Sequence, residues 1–249
     1  MGKLDGKVAL IAYAGGGIGK AIAEALVKEG AKLFVQDDDA AKLAGIPGEA
    51  IVADLRKQDD ADKMVQQVLE KAGKKLDILV NNQDYVGEKK KITDLTTEEF
   101  VDVLDMNLKT IWHTMAAIYP TVKDQEGIRI INIGNIAGAA GTPKQVAYSS
   151  AKAGLFGLTK TMAKEWQRFA GVRVNSVNAG NVKFKGDYAK QGDGKSAAKA
   201  LSLNNPFGNV TSEPEEIANI VLFLASDEAG AINAELINAA GGLYTISGE

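Results

Sequence analysis

The sequence contains no cysteine and only one histidine, His113. Without a thiol the chain cannot form a disulfide, a thiolate metal site or a cysteine nucleophile. One imidazole cannot build a histidine metal cluster, because such sites take several nitrogen ligands. The composition therefore predicts a protein with no metal site.

An excess of basic residues and a long hydrophobic run are also missing. Twenty-nine Lys and Arg residues face 32 Asp and Glu residues, which gives a net charge of −3 and a pI near 5.4. This balance gives no electrostatic reason to expect a nucleic acid partner. No apolar stretch reaches the roughly 18 residues of a membrane span, and the start MGKLDGKVALIAY lacks the apolar segment of a signal peptide. We expect a cytoplasmic protein with no membrane partner.

Short apolar runs alternate with longer segments of helical period along the 249 residues. The runs have the composition of buried strands and are KVALIAY, KLFVQ, EAIVADL, LDILVNN, IRIINIG and VRVNSVN. This alternation predicts one α/β domain over residues 1–249, with a parallel sheet and helices on both faces. Residues 98–122 have the period of one long helix. Residues 215–227 form a second predicted helix capped by Ser212, and a strand follows near ELINA.

The first apolar run leads into a glycine-rich turn, AYAGGGIGKAIAEAL, that opens a helix. Backbone N–H groups at such a helix start attract a pyrophosphate, so the turn predicts dinucleotide binding through Gly17 and Gly19. Asp37 closes the second strand, where a carboxylate can bond the ribose hydroxyls of NAD and repel the extra phosphate of NADP. The alternative interpretation is that Gly15, Gly16 and their neighbours only allow the helix to pack closely on the strand.

Tyr148 lies four residues before Lys152, a spacing that places both side chains on one face of a helix. The ammonium favours the phenolate and would make Tyr148 a proton carrier near neutral pH. The same spacing also occurs in amphipathic surface pairs, so the pair alone leaves both interpretations open.

Together with the glycine turn and this pair, the motifs LDILVNN, DMNLK, RIINIG and VRVNSV resemble those of the classical short-chain dehydrogenase/reductase family along essentially the whole chain. The resemblance implies a doubly wound Rossmann-type fold of about seven strands, usually in a tetramer. It also implies catalytic roles for Tyr148, Lys152 and Asn107, and cofactor contacts by Gly17, Gly19, Asp37, Asp54 and Asn81.

The chain departs from the family pattern at both ends of the expected cofactor site. Tyr13 stands where the family has the first glycine of the turn, and Asp84 stands where the motif Asn-Asn-Ala-Gly has its glycine. Phe184 replaces the threonine that would hold the nicotinamide carboxamide. Asn135 replaces the serine that donates a hydrogen bond to the substrate oxygen, although an amide can still donate. The resemblance therefore predicts that Tyr13, Asp84 and Phe184 block the cofactor.

Two hypotheses follow from these departures. In the first, the chain is a non-catalytic structural subunit that binds no cofactor, its catalytic and cofactor positions being vestigial. It would assemble, as a heterotetramer, with a homologous active subunit that binds NAD and oxidises a secondary alcohol such as a hydroxyacyl-CoA. In the second, the chain is an active NAD-dependent alcohol dehydrogenase that uses Tyr148 and Lys152, with Asn135 in place of the serine. A binding or regulatory protein with no oxidoreductase partner is a third interpretation.

The segment 183–205 is rich in lysine and glycine and occupies the place of the family's substrate lid. A cationic lid would suit an anionic substrate, such as a carboxylate or a coenzyme A thioester. The alternative is a solvated loop with no role in binding.

Overall fold

The computed structural model describes residues 2–183 and 211–241. Within them lie seven parallel strands: β1 Val8–Ala12, β2 Lys32–Asp37, β3 Glu49–Val52, β4 Ile78–Asn81, β5 Arg129–Asn135, β6 Arg173–Ala179 and β7 Leu236–Ala239. They form one sheet in the order β3-β2-β1-β4-β5-β6-β7. The order reverses between β1 and β4, as in a doubly wound fold. The predicted Rossmann-type fold is confirmed.

The described helices are α1 Gly17–Lys28, α2 Gln58–Lys71, α3 Thr97–Leu104, α4 Thr110–Asp124, α5 Ala137–Ala140, α6 Val146–Trp166 and α7 Pro214–Ala225. Because successive strand residues point to opposite faces, each strand supplies two cores. Ala9 and Ile11 pack in the core beneath α1 and α7, whereas Val8 and Leu10 pack in the core beneath α2, α4 and α6. Helices therefore cover both faces of the sheet, as predicted.

The predicted long helix over 98–122 is divided into α3 and α4 by a π-helical turn, Asp105–Lys109. Two side chains at this turn bond to backbone carbonyls. Asn107 donates from Nδ2 to the carbonyl of Val103 at 2.9 Å, and Thr110 donates from Oγ1 to the carbonyl of Met106 at 2.7 Å. Side chains that compete for helix carbonyls favour such irregular turns. Residues 98–122 are helical as their period predicts, but the widened turn leaves no signal in that period.

Ser212 does not cap α7, contrary to the prediction. Glu213 is the N-cap, and its N–H donates to the side chain of Glu216 at 2.8 Å, which completes a capping box with Pro214 at the first helical position. Ser212 instead forms an isolated parallel bridge with Val182. Ser212 has the sequence signature of an N-cap, but it lies one residue before the true N-cap, Glu213, and its backbone forms this bridge instead. Residues 184–205 of the predicted lid, including Phe184, lie outside the described residues.

Candidate active site

The predicted site residues lie at or after the carboxyl ends of the strands, where parallel sheets of this type bind ligands. Asn81 ends β4 and is fully buried: its Nδ2 donates to Asn132 at 2.9 Å and its Oδ1 accepts from Thr114 at 2.7 Å. These bonds tie β4 to β5 and α4. Asp54 follows β3, accepts from the backbone N–H of Arg56 at 3.2 Å and pairs with Lys57 at 3.2 Å.

The turn after β1 holds Tyr13 in a left-handed conformation, with φ of 56°. A side chain in this region costs about 1–2 kcal/mol relative to glycine, which is the residue the family has here. Two bonds fix the strained backbone. Its N–H donates to Gln36 Oε1 at 2.9 Å, and its carbonyl accepts from Asn82 Nδ2 at 2.8 Å. Position 13 therefore has a backbone conformation that favours glycine, although a tyrosine occupies it.

The Tyr13 side chain is 7% exposed and belongs to the core beneath α2 and α4. Its hydroxyl has no hydrogen-bond partner in the described structure. Burial, and then the negative charges of Asp38 and Asp54, raise the pKa of this phenol above its usual value. A buried donor without a partner is costly, because it gives up water and gains nothing in return.

Asp37 ends β2 and is 2% exposed, with its carboxylate occupied inside the chain. Oδ2 accepts from the N–H of Gly15 at 3.1 Å, and Oδ1 pairs with Lys42 Nζ at 3.1 Å. A Cβ at Gly15 would lie 2.6 Å from Asp37 Oδ2, so only glycine allows this approach. Burial raises the pKa of Asp37, and the bond from Lys42 opposes that shift.

The other glycines of the turn show the close packing that the alternative interpretation describes. Gly17 is the first residue of α1. A Cβ at Gly19 would lie 2.5 Å from the carbonyl oxygen of Ala14, so this glycine brings α1 against the turn. That contact is required whether or not a pyrophosphate binds, and the role of Gly17 and Gly19 in cofactor binding stays a prediction.

Tyr148 and Lys152 lie on α6 and are both buried, and Asp84 joins them. The Tyr148 hydroxyl donates to Asp84 Oδ1 at 2.6 Å, and the same oxygen lies 3.5 Å from Lys152 Nζ. Lys152 also donates to the carbonyls of Gln83 at 2.7 Å and Ile133 at 3.3 Å, and its ammonium lies 5.5 Å from the centre of the Tyr148 ring. The predicted pair is thus close in space, but its polar groups are directed at the chain itself.

The electrostatics of this cluster oppose those expected of a proton carrier. Burial, and then the Asp84 charge and hydrogen bond, raise the pKa of Tyr148 well above its usual value. Burial lowers the pKa of Lys152, while Asp84 acts in the opposite direction. The protonated Tyr148 phenol therefore faces the Asp84 carboxylate, and this carboxylate also pairs with the Lys152 ammonium.

The remaining predicted catalytic residues, Asn107 and Asn135, make short-range contacts of their own. In the π-helical turn, Asn107 accepts from the N–H of Tyr85 at 3.0 Å and donates to the carbonyl of Tyr85 at 2.6 Å. It therefore fixes the segment that follows Asp84. Asn135 ends β5, and its Oδ1 accepts from the N–H of Ala137 at 2.8 Å, at the start of α5.

A cavity of about 190 Å³ lies beside Tyr148. Its lining is mainly acidic and apolar and includes Tyr85, Glu99, Asp102, Val103 and Lys144. The structure describes no group of acidic or histidine side chains arranged for a metal ion in residues 2–183 and 211–241. None of the helices in these ranges is long and apolar enough to cross a bilayer.

The sequence did not predict the role of Lys42 or the burial of Gln83. Lys42 follows Asp37 by five positions, a spacing that offers only a weak signal of an ion pair. Gln83 is fully buried with no hydrogen-bond partner for either polar atom of its amide among the described residues, and its backbone carbonyl holds Lys152. Its replacement of the family's alanine was visible in the sequence, but its burial was not.

The fold and these positions define a Rossmann-fold protein of the dehydrogenase type. The family described as Enoyl-(Acyl carrier protein) reductase matches residues 12–244. The 3-oxoacyl-(acyl carrier protein) reductase FabG of Thermotoga maritima is 34% identical over 97% of this chain and 99% of its own length. FabG of Escherichia coli is 31% identical over 97% of this chain and 99% of its own length. The chain belongs to the classical short-chain dehydrogenase/reductase family.

Solved structures agree with this assignment. Xylitol dehydrogenase, crystallised with NAD+, is 26% identical, covers 96% of this chain and all of its own, and superposes with a TM-score of 0.85. Levodione reductase is 28% identical with a TM-score of 0.86 over 97% of this chain and 99% of its own. The fold is that of these dehydrogenases and reductases.

Proposed function

We propose that this chain is a non-catalytic, cofactor-free subunit of a heteromeric NAD-dependent dehydrogenase. The observation that carries the proposal is the 2.6 Å hydrogen bond from Tyr148 to Asp84. A phenol acts as an acid–base catalyst when it can exchange its proton with a substrate oxygen near the working pH. Here the proton is directed to a carboxylate that replaces the family's glycine. The same carboxylate offsets the Lys152 cation, which would otherwise favour the phenolate.

The cofactor side of the cleft gives separate support. A dinucleotide needs bare backbone at the first glycine of the turn and a free carboxylate for its ribose. Tyr13 puts a buried ring at the first position. Asp37 already accepts from Gly15 and Lys42. These residues do not fit NAD as they stand, which is why the proposal places NAD in the partner chain.

Exposed apolar side chains on the helices support assembly with that partner. Val101 on α3 and Trp112 on α4 are 45% and 51% exposed, and Phe223 on α7 is 37% exposed. Val101 and Trp112 lie on consecutive helices and Phe223 lies on the opposite face of the sheet. Large apolar side chains exposed on a helix face are typical of association surfaces when they form a patch. The partner would be a homologous active chain that supplies serine, tyrosine and lysine, in a cytoplasmic heterotetramer.

The proposed reaction of that partner is oxidation of a secondary alcohol to a ketone, with a hydroxyacyl-CoA as substrate. The pattern of altered motifs resembles the non-catalytic subunit of 2-(hydroxybenzyl)succinyl-CoA dehydrogenase. The relatives named as 3-oxoacyl reductases support an acyl substrate at the level of the family.

An active NAD-dependent dehydrogenase is the second candidate. It is favoured by the retained placement of Tyr148 and Lys152 on one helix face, beside the segment that Asn107 fixes. Asn135 would then donate its amide to the substrate oxygen. One preorganised donor is worth about 10²- to 10³-fold in rate, and an amide placed less well than the family's serine would lose part of that factor. This candidate therefore predicts a slow enzyme that still binds NAD.

Calorimetric titration of the purified chain with NAD and NADH, up to millimolar concentration, separates the two candidates. We expect no binding heat at several temperatures. Micromolar binding would overturn the proposal and favour the active enzyme. As a matched variant, Y13G/D84G/N135S/F184T restores the family residues and is expected to bind NAD; a folded variant that does not bind would show that other losses matter. Native mass spectrometry of the complex from its source is expected to show two chain types, and one chain type would contradict assembly with a partner.

A further inference from the structure

The polar surroundings of Tyr13 indicate which part of the dinucleotide site it occupies. Its N–H donates to Gln36, which precedes Asp37, and its ring belongs to the same buried cluster as Leu55, which follows Asp54. Asp37 and Asp54 are the two carboxylates that the family resemblance assigns to cofactor binding. The ring therefore lies among the groups expected around the adenosine half of a dinucleotide.

The backbone holds the ring in this place. Bonds from Tyr13 to Gln36 and from Asn82 to Tyr13 anchor the residue to the ends of β2 and β4. These anchors maintain the φ of 56°, which a tyrosine would not adopt unaided. The side chain is in consequence committed to the core beneath α2 and α4, with Phe34, Ile51 and Leu55 in the same buried cluster.

The Tyr13 hydroxyl gives an independent indication that a polar ligand edge belongs here. The side chain is 93% buried, yet its oxygen has no partner among the described residues. Buried polar groups are nearly always hydrogen-bonded. Adenine, like this phenol, combines flat apolar faces with a polar edge.

We infer that Tyr13 fills the adenine position of the family's cofactor site, so that this chain retains an adenosine diphosphate site closed by its own side chain. The inference rests on the cofactor-free character proposed above and gives it a structural cause. Glycine at position 13 would remove the ring and suit the left-handed backbone. The groups that would then face the ligand are Asp37, for the ribose once the half-exposed Lys42 releases it, Asp54, whose charge acts on the Tyr13 phenol, for the exocyclic amino group, and the start of α1 for the phosphates.

The test is calorimetric titration of the full chain with ADP, using Y13G, Y13F and the wild type. Y13F keeps the ring and removes only the hydroxyl, so it is the matched control. We expect Y13G to bind ADP at least tenfold more tightly than the wild type and Y13F, neither of which binds at 1 mM. GDP is expected to bind Y13G more weakly than ADP, because its carbonyl oxygen would face the Asp54 carboxylate where adenine presents an amino group.

A folded Y13G that does not bind ADP would overturn the inference while leaving the cofactor-free proposal intact. If the wild type binds ADP but not NAD, the inference that Tyr13 closes the site is wrong, while the cofactor-free proposal stands. Micromolar binding of NAD by the wild type would overturn both. If Y13G does not give a native circular dichroism spectrum, Y13N serves as the second variant, because asparagine tolerates the left-handed region and removes the ring. The same expected and contradicting outcomes apply to it.

Discussion

Replacing Asp84 with asparagine tests the electrostatics of the Tyr148 cluster. The Asp84 side chain is 51% exposed, whereas the Lys152 side chain is 1% exposed and lies 3.5 Å away. Asp84→Asn removes the negative charge and keeps a carbonyl oxygen that can still accept from Tyr148. Lys152 then keeps the carbonyls of Gln83 and Ile133 and the Tyr148 ring as contacts, but it has no negatively charged partner among the described residues.

The expected loss of stability is about 1–2 kcal/mol at pH 7. A hydrogen bond to a charged group contributes about 1.5–3 kcal/mol, and part of that survives with the asparagine oxygen. The ion pair adds about 1 kcal/mol or less, because water screens the half-exposed carboxylate. A fully buried pair would cost more to break.

The loss is expected to shrink as the pH rises. Burial holds the pKa of Lys152 below 10.5, and without Asp84 it falls further. At pH values between the pKa of Lys152 in the folded chain and 10.5, the unfolded chain binds more protons than the folded chain, so the free energy of unfolding rises with pH. This rise is larger for the variant, because its Lys152 has the lower folded pKa. Burial and Asp84 raise the pKa of Tyr148 above 10.0, so above that pH the wild type loses more stability than the variant. Both effects narrow the difference in free energy of unfolding between the wild type and Asp84→Asn as the pH rises.

Urea unfolding followed by circular dichroism at pH 7, 8, 9 and 10 measures this difference. Glu228→Gln is the matched control, because Glu228 is a 56% exposed carboxylate that pairs with the exposed Lys3 at 2.9 Å. It is expected to change stability by about 0.5 kcal/mol or less. The reasoning is refuted if Asp84→Asn matches the wild type at pH 7, or if the difference grows as the pH rises.

Three further substitutions test other contacts of the site. Asn107→Ala is expected to cost about 2–3 kcal/mol in urea unfolding, because it leaves the N–H and carbonyl of Tyr85 without their partner. Tyr13→Phe is expected to raise stability by about 1 kcal/mol and increase the thermal midpoint, because it removes a buried hydroxyl that bonds to nothing described. Lys42→Met is expected to destabilise by about 1 kcal/mol at pH 7 and by less near pH 3.8 in thermal melts, because Lys42 pairs with Asp37 and Asp38 and lowers the pKa of both carboxyl groups.

Each of these has a contradicting result. An Asn107→Ala variant of wild-type stability would mean that the segment around Tyr85 is held by other contacts. A Tyr13→Phe variant that melts earlier would mean that the hydroxyl has a partner. A deficit of Lys42→Met that is the same at pH 3.8 and pH 7 would mean that the lysine stabilises the fold without favouring the ionised forms of Asp37 and Asp38.

Local sequence patterns were sufficient to predict the architecture. Buried strands and amphipathic helices differ in the period of their apolar residues, and that period is a property of consecutive residues. The glycine turn predicted the start of α1, and a spacing of four placed Tyr148 and Lys152 on one face of α6. Ser212 shows the limit of this reasoning, because a capping residue one position from the true N-cap has the same local signature.

The sequence by itself therefore determined the family, the doubly wound sheet and the strand ends at which the site lies. Only the tertiary structure decided what the site residues bond to. Asp84 meets Tyr148 across 64 positions, and Lys152 reaches the carbonyl of Gln83 across 69. These contacts depend on the path of the chain between β4 and α6 and on burial, which turns a lysine–tyrosine pair into a cluster closed by a carboxylate. No local period of the sequence encodes these contacts or this burial, because they arise between segments that are distant in sequence and packed together in one low-dielectric interior.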